Sequence, residues 1–176
     1  MASPQPEGFT GFPYGIGAPG LDMVAQTNPL TLPQTTTKTI FTIKGGPIRV
    51  RAMFGVVTTV VGAVANATKL QFLPTVPAST TLDLCATADI NALAAGALYM
   101  LVTSFATAAS ISLTSGAGPV AASTLINNWI MTPGTVQINC AGSDGGTGLI
   151  QWYMVYAPLG VGIFNGGGVT VTMPLS

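Results

Sequence analysis

The sequence is short of charge. Of 176 residues only five are basic and five acidic, and none is histidine. Charged residues therefore make up 6% of the chain, where a typical soluble domain carries about 25%. None lies between Asp89 and Asp144. A free monomer with net charge zero and so few charged groups has little colloidal protection, so the composition points to a subunit of an assembly or to a membrane. The lack of histidine removes the side chain that titrates nearest neutrality and most often serves as general acid, general base or metal ligand. Cysteine is also scarce: Cys85 and Cys140 are too few for a disulfide framework, and without histidine a zinc site lacks its usual partners. Both read as buried free thiols. The opening "MASPQPEGF" has neither a basic region nor an apolar core, so no signal peptide is expected.

The membrane alternative rests on 48% hydrophobic residues and on the uncharged window "INALAAGALYMLVTSFATA", residues 90–108. That window is diluted by Asn91, Gly96, Thr103, Ser104 and Thr107, and all five basic residues lie between 38 and 69. The loop charges that set the topology of a spanning helix are missing, and no membrane partner is expected.

Chemistry has few carriers. Asp89 reads as a helix cap and Asp144 as a turn residue, while Asp83 is a candidate ion-pair partner for Arg49 or Arg51. No Ser, Thr or Cys has a candidate base to activate it, so neither an enzyme, nor a cofactor, nor a metal is expected. Gly15, Gly17 and Gly20 match the G-x-G-x-x-G spacing of a dinucleotide-binding turn. Yet no strand leads in, Pro19 sits inside the motif, and Pro29 and Pro33 interrupt any helix leading out. The match is accidental. Lys38, Lys44, Arg49, Arg51 and Lys69 form a basic cluster, but with five acids to cancel them they make a poor phosphate track, so no nucleic acid is expected. Asn66-Ala67-Thr68 fits a glycosylation acceptor, which matters only in a secreted eukaryotic chain.

Proline and glycine are dense through residues 1–37, which read as an extended arm carrying Phe9, Phe12 and Tyr14. From residue 38 to 176 the texture is that of a β-domain. "KTIFTIK" and "PIRVRAMF", separated by Gly45-Gly46, read as a hairpin whose second strand puts Ile48, Val50 and Ala52 on one face and Arg49, Arg51 and Met53 on the other. "GVVTTVVGAV" and "TKLQFLP" continue the pattern, with turn breaks at Gly55 and Pro74. "TVQINCA" and "GLIQWYMVYAPL" read as a second hairpin around "GSDGGT". In its second strand Ile150, Trp152, Met154 and Tyr156 face one way and Leu149, Tyr153 and Val155 the other, so the strand is central or is covered by a neighbouring subunit. "INALAA", capped by Thr87 or Asp89 and ended by Gly96, reads as one short helix, and "ALYMLVTS", "ISLTS" and "GVTVTM" as further strands. The expected fold is all-β: a jelly-roll-like sandwich or barrel with one short helix and an N-terminal arm.

The run "GGPIRVRAMFGVVTTVVGAVANATKLQFLPTVPASTTLDLCATADINALAAGALY", with the later "PGTVQINCAGSDGGTGLIQWYMVYAPLGVG", resembles small structural proteins of tailed bacteriophages, namely capsid-decorating or cementing proteins and related head and tail components. The likeness covers most of residues 38–162. It implies a symmetric homo-oligomer, most often a trimer, that sits on the capsid surface, bridges the major capsid protein and performs no catalysis. A head-fibre or tail subunit is the alternative within the virion, and a membrane-embedded or pore-forming β protein the alternative outside it. On this reading Phe9, Phe12 and Tyr14 of the arm, the arginine pair Arg49 and Arg51, and Trp152 with Tyr153 are the candidate capsid or subunit contacts.

Overall fold

The long alternating runs set the frame. In a computed structural model, which describes residues 22–101, 107, 110–112, 129–143, 145–159 and 169–173, two antiparallel sheets pack face to face. In order the strands are β1 (Met23–Gln26), β2 (Leu30–Thr31), β3 (Thr37–Lys44), β4 (Ile48–Thr59), β5 (Ala67–Pro74), β6 (Leu82–Asp83) and β7 (Ala88–Asp89). There follow β8 (Leu98–Met100), β9 (Ser110–Ser112), β10 (Trp129–Met131), β11 (Gly134–Cys140), β12 (Leu149–Pro158) and β13 (Thr170–Thr172). One sheet runs β1-β12-β4-β8-β9, with β2 also on β12 and β10 also on β4. The other runs β13-β3-β11-β5-β6, with β7 also on β5. The architecture is a sandwich and not a closed barrel.

The two stretches expected as hairpins are not hairpins. β3 and β4 lie in different sheets, and so do β11 and β12. Gly45 takes φ 85° and Gly145 and Gly146 take φ 77°, so the glycines turn the chain as expected. Each turn, however, carries it across the core instead of back along its own strand. The apolar faces of β3 (Ile40, Phe41, Ile43) and β4 (Ile48, Val50) are thereby both buried from opposite sides.

β4 is one continuous strand through Gly55, which is buried within it and does not break it. It also changes phase. Val155 lies opposite Ala52 and Tyr156 opposite Val50, so Arg51 is the extra residue of a bulge. Before the bulge Ile48 and Val50 point inward; after it Met53 and Val57 do, both at most 1% exposed. Met53 is therefore a core residue and not a companion of the arginines on the outer face.

No helix forms among the described residues. Residues 90–97 make two turns whose backbone groups bond to the end of β4: Ala92 N–H donates to Gly62 O, Gly96 N–H to Val57 O, and Leu93 O accepts from Val61 N–H. Ala92 takes φ 50°, outside the right-handed helical region. Asp89 does cap, but as a turn residue: its Oδ1 accepts the N–H groups of Asn91 and Asn66. The local donors that a helix would use are thus taken by strands distant in sequence.

The described part of the expected arm, residues 22–37, is built into the fold. β1 and β2 pair with β12. Ala25, Leu30 and Leu32 are buried, and Thr27 exchanges two bonds with Trp152: Thr27 N–H to Trp152 O at 2.9 Å and Trp152 N–H to Thr27 Oγ1 at 3.0 Å. Pro29 and Pro33 sit beside short edge pairings that need no donor from them. Phe9, Phe12, Tyr14, the glycine motif and Asp144 lie outside the described residues.

At the middle of the seven-stranded sheet Gly55 stands between Trp152 of β12 and Tyr99 of β8. The two rings meet edge to face above it with centroids 5.6 Å apart. A Cβ at Gly55 would come within 2.6 Å of Ile150 Cγ2 and 3.0 Å of the indole. Trp152→Ala is expected to cost roughly 3–5 kcal/mol, and Gly55→Ala roughly 1–3 kcal/mol through overpacking, both read from urea midpoints. Parental midpoints would show that the rings do not hold the sheet.

Burial, with the Cys85 thiol beside it, pushes the Tyr99 phenol well above its ordinary value of 10.0. Stability is then undiminished below that value and falls as pH rises past it, because the unfolded chain releases the proton first. Denaturant titrations on either side of about pH 10 should show this alkaline slope weakened in Tyr99→Phe; an unchanged slope would remove Tyr99 as its source.

Candidate functional site

The outer face of the seven-stranded sheet follows from the same alternation that fills the core. Trp152 is 1% exposed and faces inward, while its neighbour Tyr153 faces outward, half-buried. Tyr153 stacks on Phe54 of β4 at 5.0 Å and 12°, and its hydroxyl donates to Gln151 Oε1. Val155 and Val24 are cross-strand partners on this face, with Val24 65% exposed, and Val56 continues it on β4. The result is an apolar surface formed jointly by β1, β12 and β4.

Its charges lie at one end. Arg49 and Arg51 both point outward, but they are not equivalent. Arg51, on the bulge, places Nε 2.7 Å from Asp22 Oδ1 just ahead of β1. Arg49 sits in regular ladder, between Ile130 of β10 and Ala157 of β12, and makes no ion pair among the described residues. Its Nε is buried without a hydrogen-bond partner among them. Asp83, expected opposite one of the arginines, instead pairs with Lys69 Nζ at 2.7 Å and Gln71 Nε2 at 2.7 Å on the other sheet. The Gln71 and Lys69 hydrogen bonds hold its carboxyl below the usual 3.8.

Where β10 and β6 approach, a cleft of about 580 Å³ opens. It is lined by Trp129, Ile130 and Met131 of β10 and, from the other sheet and its connections, by Phe72, Pro77, Leu82 and Asp83. Ile130 is 69% exposed. This volume lies within the range that holds small ligands or anchoring side chains, about 300–1,000 Å³.

Other sequence candidates take structural places. Cys85 and Cys140 are buried free thiols. Cys85 Sγ accepts the Leu70 N–H at 3.3 Å and lies 3.7 Å from the Tyr99 hydroxyl. Asn66 of the acceptor-like triplet is fully buried, its Oδ1 accepting the Gly142 N–H. Among the described residues no three His, Cys, Asp or Glu side chains come together as a metal site, and no helix is long and apolar enough to cross a membrane. Sequence reasoning missed Asp22, Phe54 and the Trp129-Ile130 wall. Only Ile130, an apolar residue between two residues that turn inward, carries a local signal; the other contacts arise from pairing across long separations.

No protein-family model matches this chain, and comparison with curated proteins and with solved structures finds no match either.

Proposed function

We infer that the chain is a non-enzymatic structural subunit of a phage virion, which decorates and stabilises the capsid as a symmetric oligomer, a trimer by the resemblance in residues 38–162. The observation that carries this reading is the outer face of the seven-stranded sheet. A contiguous apolar surface built from Val24, Phe54, Tyr153 and Val155 is unusual on a monomeric domain and typical of a surface that another protein covers. The chain's 6% charge supports the same reading, since a subunit held in a shell does not depend on its own charge to stay dispersed. In this arrangement the apolar face meets the major capsid protein and Arg51, braced by Asp22, stands at its border.

The test is attachment of the purified full chain to undecorated capsids, with copies counted per particle. Hundreds of copies are expected; a handful or a few dozen would point to a fibre or tail subunit, and protein kept in solution only by detergent would point to a membrane-embedded β protein. Val24→Asp places a charge on the apolar face at a position exposed enough to leave folding intact. It should weaken attachment by roughly tenfold or more. Parental occupancy in this variant would show that the capsid is met elsewhere.

A further inference from the structure

The two outward arginines of β4 differ in what they still need. Arg51 has Asp22 at 2.7 Å. Arg49 has no acid among the described residues, and its Nε is shielded from water without a hydrogen-bond partner among them. The other described acids are engaged elsewhere: Asp83 pairs with Lys69 on the six-stranded sheet, and Asp89 accepts the N–H groups of Asn66 and Asn91. A guanidinium N–H held out of water and unpaired carries a penalty, which an anion that reaches it removes.

The surroundings of Arg49 on this face are apolar. Ile130 is its direct partner across the β4-β10 ladder and therefore faces outward beside it, 69% exposed, while Trp129 and Met131 turn into the sandwich. On the β12 side its partner is Ala157. Val155 shares that side of β12 two positions away, a spacing of about 7 Å. It begins the apolar surface that continues through Val24, Tyr153 and Phe54. We propose that Arg49 is the specificity-determining contact of this outer face, and that the capsid protein bound there presents one aspartate or glutamate to it, flanked by apolar side chains that cover Ile130 and Val155. The inference deepens the decoration reading above and rests on it.

A single carboxylate fits this site better than a phosphate backbone. Arg51 is held by Asp22, Lys69 by Asp83, and Lys38 donates to the backbone and hydroxyl oxygens of Thr31, while Lys44 ends β3 in the other sheet. Arg49 is thus the one uncompensated cation on this face among the described residues, whereas a phosphate track needs several in a row. Guanidinium and carboxylate match in charge and in the geometry of their paired hydrogen bonds. Because Nε is already desolvated in the free subunit, binding strips less water from it than from an exposed cation, and the pair forms where charge interactions are stronger. A surface that offers an apolar or basic group at this point leaves the arginine covered and unpaired, so Arg49 acts against wrong partners as well as for the right one.

The experiment measures attachment of the full chain to undecorated capsids at low and high salt. Arg49→Gln should raise the dissociation constant by roughly tenfold or more and flatten its salt dependence. Its urea midpoint should stay parental, since no described ion pair is lost. Capsids whose surface carboxylates have been amidated with ethylenediamine, which replaces each negative charge by a positive one, supply an independent measurement. On them Arg49→Glu should attach more tightly than the parental chain, the reverse of the order on untreated capsids. The same order on both kinds of capsid would overturn the proposal, and so would displacement of the parental chain by short duplex DNA, which would assign Arg49 to phosphate. If the parental chain attaches and Arg49→Gln attaches equally well, the decoration reading stands and this inference alone fails. If the parental chain does not attach at all, the decoration reading fails and takes this inference with it.

Discussion

Two aromatic rings closing over a glycine organise the rest of this molecule. Trp152 and Tyr99 belong to strands on either side of β4 and meet only because Gly55 between them has no side chain. Their contact fixes the register of three strands at once. Tyr99 also reaches the other sheet, since its hydroxyl lies beside Cys85, whose sulfur takes the Leu70 N–H of β5. The outer face depends on the same alignment: Tyr153 and Phe54 stack as cross-strand partners one position along from Trp152 and Gly55. A register slip would therefore exchange the core and the outer apolar face together.

Strand content and the two alternating faces of β12 were legible because alternation is local information. What the turns do was not. Gly45-Gly46 and the segment after Cys140 announce reversals, but a glycine in the left-handed region serves equally a hairpin and a crossing between sheets. Which one forms is decided by what the apolar faces meet. The phase change in β4 was hidden for a similar reason: the bulge at Arg51 exists only against β12, about a hundred residues later. Residues 90–95 have a helix-like cap and stop, yet hydrogen bonds to Val57, Val61 and Gly62 take precedence over local propensity. As for the candidate site, the outward placement of Arg49 and Arg51 and the opposite facing of Trp152 and Tyr153 could be read from spacing, whereas Asp22 as the partner of Arg51 and the cleft between β10 and β6 could not.

The buried polar residues among those described, Thr27, Asn66 and Thr68, sit at junctions. Asn66 donates its N–H to Asp89 and accepts the Gly142 N–H through its side chain, so one buried amide joins the β4-β5 connection, β7 and the β11-β12 connection. This accounts physically for a polar residue at 0% exposure in an apolar sandwich, since each bond satisfies a backbone group that would otherwise be buried unpaired.

The crossings between sheets also set the order in which the molecule can come into being. β12 pairs with β1, β2 and β4, and β3 pairs with β11 and β13, so the principal ladders join early and late parts of the chain. Such non-local topology folds slowly, because loop closure precedes the contacts that reward it. The apolar outer face is itself composed of β1, β4 and β12. A nascent or truncated chain lacking β12 has no such face at all, so only a polypeptide synthesised through Pro158 can present it. Emergence of β12 thereby becomes a condition for that face to exist, imposed by topology alone.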